Sequence, residues 1–350
     1  MMKYTQAYIA DIRETIDGIQ GWEELKDKKI LITGATGMIG SSVVELLHVM
    51  NEQYDAGITL YLAGRSKEKI WQRFSAFMTE KDFAFVPYDA DVDQQFDIEP
   101  DYIIHGACKA DPAAYREHPV ETMLSNFVGV NTLLRLAVSA KSKRLLYLSS
   151  SEVYGKKEDN EPYKETEYGY VDILHSRACY PSSKRASETL CASYGAEYGV
   201  DTVIVRPGHI YGPTISRADS KASTQFTWNV VDGKDIVMKS AGDQVRSYCY
   251  TLDCAAAIVT VLLKGKNGEA YNISNRKSVV SIRDLAEMLA RCGGKKIVFE
   301  NPTDAEKRSY NLMSNSSLDA EKLEQLGWIP GYNLERGIKR TIEILQGVDV

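Results

Sequence analysis

Seven residues, Gly34 to Gly40, constrain this chain more than any other stretch. Glycines 34, 37 and 40 repeat as G-x-x-G-x-x-G inside the segment T-G-A-T-G-M-I-G, residues 33–40. The apolar run Lys29-Ile30-Leu31-Ile32-Thr33 precedes them and reads as a buried strand, and a helical pattern follows from Met38 to Met50. That context gives the spacing a mechanical meaning. Gly34 permits a tight turn, Gly37 lets backbone approach a pyrophosphate, and Gly40 lets the helix pack on the strand. The helix start then presents free N–H groups and a positive dipole end to phosphate. The turn predicts a bound dinucleotide held by Gly34, Thr36, Gly37, Met38, Ile39 and Gly40.

The rest of the chain repeats the strand–helix rhythm. Strands are predicted at 58–62, 83–87, 101–104, 145–149 and 201–206, and helices at 67–78, 120–140 and 180–198. Alternation of this kind implies an α/β fold, a Rossmann-type doubly wound parallel sheet. Residues 4–25 read as an amphipathic helical lead-in with Ile9, Ile12, Ile16 and Ile19 on one face. After Pro207 the rhythm breaks, with apolar helices returning at 253–263 and 281–290. The expected organisation is a dinucleotide-binding domain over 1–206 and about 246–264, with a smaller C-terminal substrate-binding lobe from 207–245 and 265–350.

Bulk composition excludes other classes. The 350 residues carry a net charge of −6, which argues against nucleic acid as partner. The longest apolar runs are strand-sized, so no membrane span is expected, and the N-terminus lacks the order of a signal peptide. Six cysteines without a CxxC and five histidines without paired ligand spacing predict no metal site and free thiols in a cytoplasmic protein.

Two further features narrow the chemistry. At the second strand's end stands Arg65, where NAD binders often carry an acidic residue, so the cofactor is NAD or NADP, with NADP favoured because a guanidinium suits a 2′-phosphate. Asp91 and Val92 are candidates for the adenine edge. Tyr180 and Lys184 share one helix face at Y-x-x-x-K spacing. Making a tyrosine a base near neutrality means lowering its pKa by roughly 2–3 units, about 3–4 kcal/mol. One ammonium about 4 Å away supplies on the order of 4 kcal/mol at an effective dielectric near 20. Ser150, just past the strand 145–149, is placed to hydrogen-bond the same substrate oxygen.

These residues together resemble the extended short-chain dehydrogenase/reductase family that modifies nucleotide sugars. Further matching segments are S-S-S-E-V-Y-G (149–155), R-P-G-H-I-Y-G-P (206–213), G-D-Q-V-R-S-Y-C-Y-T-L-D (242–253) and L-G-W (326–328). Within that family the segments 105–126 and 168–185, Glu152 and the pair Lys307-Arg308 are most similar to UDP-glucuronate decarboxylases. The chain departs from them at Arg65, Lys109 and His209, and in lacking an arginine after Pro213. The resemblance implies a nucleotide-diphosphate sugar as substrate, transient oxidation at C4 by bound NAD(P)+, loss of a C5 carboxylate as CO2, and a homodimer through helices near 120–140 and 181–198. It implies catalytic roles for Tyr180, Lys184, Ser150 and Glu152, cofactor contact at Ala107, and substrate contact at Tyr115, Ser151, Arg177, His209, Arg246 and Arg308. Alternatives stay open residue by residue. Arg177 and Arg308 would hold the carboxylate, or Arg308 a phosphate and Arg177 only the loop before the helix. Glu152 would serve near C5 in a decarboxylase or take the C5 proton in a 4,6-dehydratase. Tyr115 would line the sugar site or the core. A 4,6-dehydratase or C4 epimerase is the alternative enzyme, and a non-catalytic NAD(P)-binding sensor is the alternative of another class.

Overall fold

The computed structural model describes residues 4–108, 110, 112–303 and 313–348. Its main sheet takes strands from most of the chain. They are β1 (Lys29–Thr33), β2 (Thr59–Gly64), β3 (Ala84–Pro87), β4 (Tyr102–His105), β5 (Arg144–Leu148) and β6 (Thr202–Pro207). After β7 (His209–Tyr211), β8 (Ile236–Met238) and β9 (Val245–Tyr250), the chain returns to this sheet as β10 (Ala270–Ile273). The seven strands lie in the order β10-β6-β5-β4-β1-β2-β3, every pair parallel. The predicted doubly wound sheet is therefore present. The order reverses between β1 and β4, which opens a crevice at their carboxyl ends.

Burial on both faces explains the unbroken apolar strands. In β1, Ile30 and Ile32 join one core and Leu31 joins the other. The first core is covered by α1 (Gln6–Asp17), α2 (Met38–Tyr54) and α8 (Thr251–Lys264), which pack on one another. The second is covered by the pair α5 (Pro119–Ser139) and α6 (Cys179–Tyr198). Helix α3 (Lys67–Phe74) stops at Ser75, short of the predicted Met78, while α2 runs past the predicted Met50. The lead-in does not remain one helix to residue 25. It ends at Gly18, Gly21 adopts φ +80°, and a 3-10 turn follows at Trp22–Leu25. Tyr8, Ile12 and Ile16 form its buried face, with Ile9 only half-buried. Glu45 of α2 is fully buried there and accepts from the Tyr4 and Tyr8 hydroxyls and from Arg73, so its charge is paired and hydrogen-bonded.

The remaining elements follow β6, whose carboxyl end runs on into β7. A small sheet joins β7, β9 and β11 (Val279–Ser281), and β8 pairs with β12 (Ile297–Phe299). Helices α7 (Ala222–Val231), α9 (Ile282–Gly293) and Leu334–Gln346 pack together beside them. Residues 270–273 belong to the main sheet although the sequence reading assigned everything from 265 to the lobe: four residues with no periodicity of their own become a strand by pairing with β6. Leu285, Ile338 and Ile342 share a core with α2 and α8, so the hydrophobic packing is continuous through both parts. Asp253, at the start of α8, fastens the returning chain by accepting from the Gly331 and Tyr332 N–H groups at 2.8 and 3.1 Å.

Candidate functional site

The glycine turn closes as its sequence requires. Gly34 has φ +72°, and a Cβ there would lie 2.7 Å from the Gly106 backbone, so the ends of β1 and β4 meet through two glycines. A Cβ on Gly40 would come 2.2 Å from the Gly34 carbonyl oxygen. The close approach at Gly40 is thus between α2 and the turn itself rather than the strand. Gly37 is the exposed N-cap of α2 and supplies no side-chain cap, which leaves N–H groups of the first turn free. Thr36 is exposed, and Met38 and Ile39 are half-buried. A seventeen-residue helix with an uncapped, glycine-lined start at the switch point fits the diphosphate of a dinucleotide.

Thr33 organises the floor of this crevice. Its hydroxyl accepts from the Gly106 and Ala107 N–H groups at 3.2 and 3.1 Å and lies 2.7 Å from His105 Nδ1. With both N–H groups donating to it, the hydroxyl gives its own proton to Nδ1, which places the imidazole proton on Nε2. Burial pulls the His105 pKa down to about 3, helped by the charge of Lys184, so the ring is neutral. At the rim, Arg65 is exposed after Gly64 and has no hydrogen bond or ion pair among the described residues. Asp91 and Val92 are also exposed, the Asp91 N–H bonding Asp89 Oδ1 at 3.1 Å.

Tyr180 and Lys184 both lie buried on the first turns of α6. Lys184 Nζ donates to the Leu148 carbonyl at 2.7 Å, sits 4.7 Å from the centre of the Tyr147 ring and 5.7 Å from that of Tyr180. Burial pushes the Tyr180 hydroxyl well above the ordinary tyrosine value and the Cys108 thiol adds to this, while Lys184 and a hydrogen bond with Ser150 pull it down. Ser150 caps the 3-10 turn Ser151–Tyr154 by accepting the Glu152 N–H at 3.2 Å. That turn holds Ser151, buried, and Glu152, half-buried.

The structure brings Arg177 and Tyr115 to the same place. Arg177 donates through both terminal nitrogens to Glu152, at 2.9 and 2.8 Å. Its guanidinium lies 4.7 Å over the Tyr115 ring, and that ring stacks on Tyr180 with centroids 4.5 Å apart at 19°. Tyr115 is buried in this stack.

A second polar group faces the site from the small β7–β9–β11 sheet. Arg246 is only 3% exposed and donates to the carbonyls of Val245 and Met313, at 2.8 and 3.1 Å. Among the described residues no carboxylate pairs with it. Burial lowers its pKa, and Glu152 is close enough to raise it. His209 packs edge-on to Tyr248, its Nδ1 is sealed from solvent without a partner, and burial with the Arg246 charge pulls its pKa down to about 3. Arg308 and Lys109 lie outside the described residues.

Arg206, in the R-P-G-H-I-Y-G-P segment, is buried against Glu188 at 2.6 Å and bonds Tyr154 and Tyr168, so it braces β6 rather than facing ligand. Tyr147, below Lys184, and Cys108, beside Tyr180, were not singled out by sequence. Their only signal was adjacency to segments already read as strand ends. Among the described residues one group with metal-ligating atoms gathers away from the crevice, His48, Glu52 and Asp82, and the Asp82 carboxylate there accepts the Thr79 N–H at 2.5 Å. No helix among the described residues is long and apolar enough to cross a membrane.

Fold and turn together define the class: a dinucleotide-binding, doubly wound α/β protein. The sequence pattern of the NAD dependent epimerase/dehydratase family matches residues 30–274, and the chain belongs to that family. It is 30% identical to UDP-glucuronic acid decarboxylase 3 of Arabidopsis thaliana over 89% of this chain and 86% of that protein. It is 28% identical to UDP-glucuronic acid decarboxylase 1 of Xenopus tropicalis over 98% of this chain and 80% of that protein. Among solved structures, UDP-glucuronic acid 4-epimerase of Bacillus cereus, in complex with UDP-glucuronic acid and NAD, superposes with a TM-score of 0.74 at 21% identity, covering 91% of this chain and 99% of the other. A dTDP-glucose 4,6-dehydratase of Streptomyces venezuelae with NAD bound gives 0.75 at 24%, covering 90% and 96%. These two likenesses are of fold.

Proposed function

We propose that the protein is a nucleotide-sugar decarboxylase acting on UDP-glucuronate or a close analogue, with a dinucleotide used catalytically. The observation that carries the reading is Arg246: a buried guanidinium with no carboxylate among the described residues, beside the orphaned His209 Nδ1, is a positive centre that an anionic ligand would complete. The diphosphate of a sugar nucleotide supplies such charge. Glu152, Tyr180 and Ser150 stand on the neighbouring wall, where the sugar would lie.

The bound dinucleotide supplies hydride acceptance at C4 of the sugar and its return. Gly34 to Gly40, with Ala107, hold it. Tyr180 takes the C4 hydroxyl proton, Lys184 favours the phenolate, and Ser150 bonds the same oxygen. A C4 ketone makes the C5 carboxylate a β-keto acid, which leaves as CO2, and Glu152 serves as acid or base at C5. The half-buried Glu152 also suits the C5 proton transfer of a 4,6-dehydratase, the second reading. Exposed Arg65, with no partner among the described residues, favours NADP. The α5 stripe Val120, Met123, Leu124 and Phe127 is exposed at helical spacing beside α6 and fits a homodimer. Six free thiols fit a reducing compartment, the cytoplasm.

The test is incubation of the cofactor-loaded protein with UDP-glucuronate. Release of CO2 with a UDP-pentose is expected; a 4-keto-6-deoxy product or an epimer from a neutral UDP-sugar, with no CO2 from UDP-glucuronate, overturns the reading. Mass spectrometry of the dinucleotide released on denaturation settles the 2′-phosphate.

A further inference from the structure

Arg177 sits in the short turn Ser176–Ala178, which His175 caps: the Arg177 N–H donates to His175 Nδ1 at 3.2 Å. The turn runs directly into α6, so Arg177 and Tyr180 ride on one rigid piece. Glu152 rides on the other, the turn after β5 that Ser150 caps. The two-pronged bond between Arg177 and Glu152 joins the pieces. Tyr115 enters from α4 (Pro112–Glu117) and is held between the guanidinium and the Tyr180 ring. Both terminal nitrogens of Arg177 are therefore engaged, one guanidinium face is covered, and its Nε is sealed from solvent without a partner. A carboxylate brought in by a substrate would reach that fork only by expelling Glu152.

We propose that Arg177 is a positioning residue, which clamps Glu152 and through Tyr115 seats the Tyr180 ring, and does not receive the substrate's carboxylate. The inference rests on the nucleotide-sugar reading above. Of the two roles the sequence left open for Arg177, it takes the bracing one over a share of the carboxylate. A guanidinium holds a planar two-point grip that an ammonium replaces only in part.

Two measurements on the same variants decide it. Calorimetric titration of the protein loaded with reduced cofactor compares UDP-glucuronate with UDP-glucose, which differ by the carboxylate. Arg177→Gln is expected to leave the ratio of the two affinities within about fivefold of wild type, whereas a larger loss confined to UDP-glucuronate makes Arg177 a substrate ligand and overturns the proposal. Absorbance at about 340 nm then follows the first hydride transfer with the oxidised cofactor. Arg177→Gln should slow it roughly 30-fold or more, Arg177→Lys should recover part of that loss, and Arg177→Gln should slow Glu152→Gln by less than about threefold, since the pair acts as a unit. Independent, multiplying losses overturn the clamp. If Arg177→Gln does not fold, Arg177→Lys carries the same two comparisons. Failure of CO2 release sinks the decarboxylase and leaves this test readable, because affinity and C4 oxidation do not depend on the fate of C5.

Discussion

At the scale of single residues, burial decides more than identity. Tyr180 in isolation is scarcely ionised near neutrality, and burial makes its phenolate scarcer still; the counterweights are Lys184 and the Ser150 hydroxyl. Tyr180→Phe is therefore expected to cut the rate of C4 oxidation by about 1000-fold or more while dinucleotide affinity, measured by fluorescence titration, stays within about threefold. His105 makes a second, opposite use of burial. Its folded pKa near 3 lies below the ordinary 6.5, so its contribution to stability is complete above pH 6.5 and is lost as pH falls from there towards 3. The stability advantage of wild type over His105→Asn should shrink by about 1.4 kcal/mol for each pH unit below 6.5. Urea unfolding of both proteins at pH 7.0, 6.0 and 5.0 measures this, and an unchanged difference would show that His105 is not held neutral. The Y-x-x-x-K spacing was legible in the sequence, whereas the Thr33–His105 bond was not: the partners are 72 residues apart and meet only because β1 and β4 are neighbours.

At the scale of elements, the strand–turn–helix unit was readable because each glycine answers to a local steric demand. The two later glycines nevertheless have separable jobs. A Cβ on Gly40 collides with the turn, while a Cβ on Gly37 meets only the Gly34 oxygen at 3.3 Å and otherwise points to open space. Gly40→Ala should cost about 2–3 kcal/mol of stability from overpacking. Gly37→Ala should keep the wild-type melting temperature to within about 2 °C, since surface changes cost under about 0.5 kcal/mol, yet lose dinucleotide affinity because the methyl stands where phosphate must approach. Thermal melts with and without cofactor separate the two, and equal melts of the apo proteins would refute the distinction. The elements that escaped sequence reading are short or non-local. Strands β7, β8, β11 and β12 have three residues each and no periodicity to detect. The helix Leu334–Gln346 did carry a signal, Asn333 as its cap and Leu334, Ile338 and Ile342 on one face.

At the scale of the whole molecule, the α5 stripe is the feature a single chain leaves unfinished. Val120, Met123, Leu124 and Phe127 follow the i, i+3, i+4, i+7 pattern of a buried helix face but are 43–63% exposed. A second copy covering α5 and α6 would complete that packing. Leu124→Glu combined with Phe127→Glu should convert a dimer to a monomer in sedimentation equilibrium, leaving the fold intact by circular dichroism. A wild-type protein that sediments as a monomer at tens of micromolar, above the affinity expected for a stable interface, would remove the proposal.

What the sequence by itself determined is the dinucleotide turn, the parallel sheet and the face shared by Tyr180 and Lys184. Each depends on neighbours within a few residues, where backbone sterics and helical spacing act. Tertiary structure alone decided which arginines are available. Arg206 is spent on Glu188, Arg177 on Glu152, and Arg246 is buried without a carboxylate among the described residues. Their spacings along the chain say nothing of this, because the partner of a guanidinium is set by which strand ends converge, and the desolvation that makes an unpaired charge demand a ligand exists only once the chain is folded.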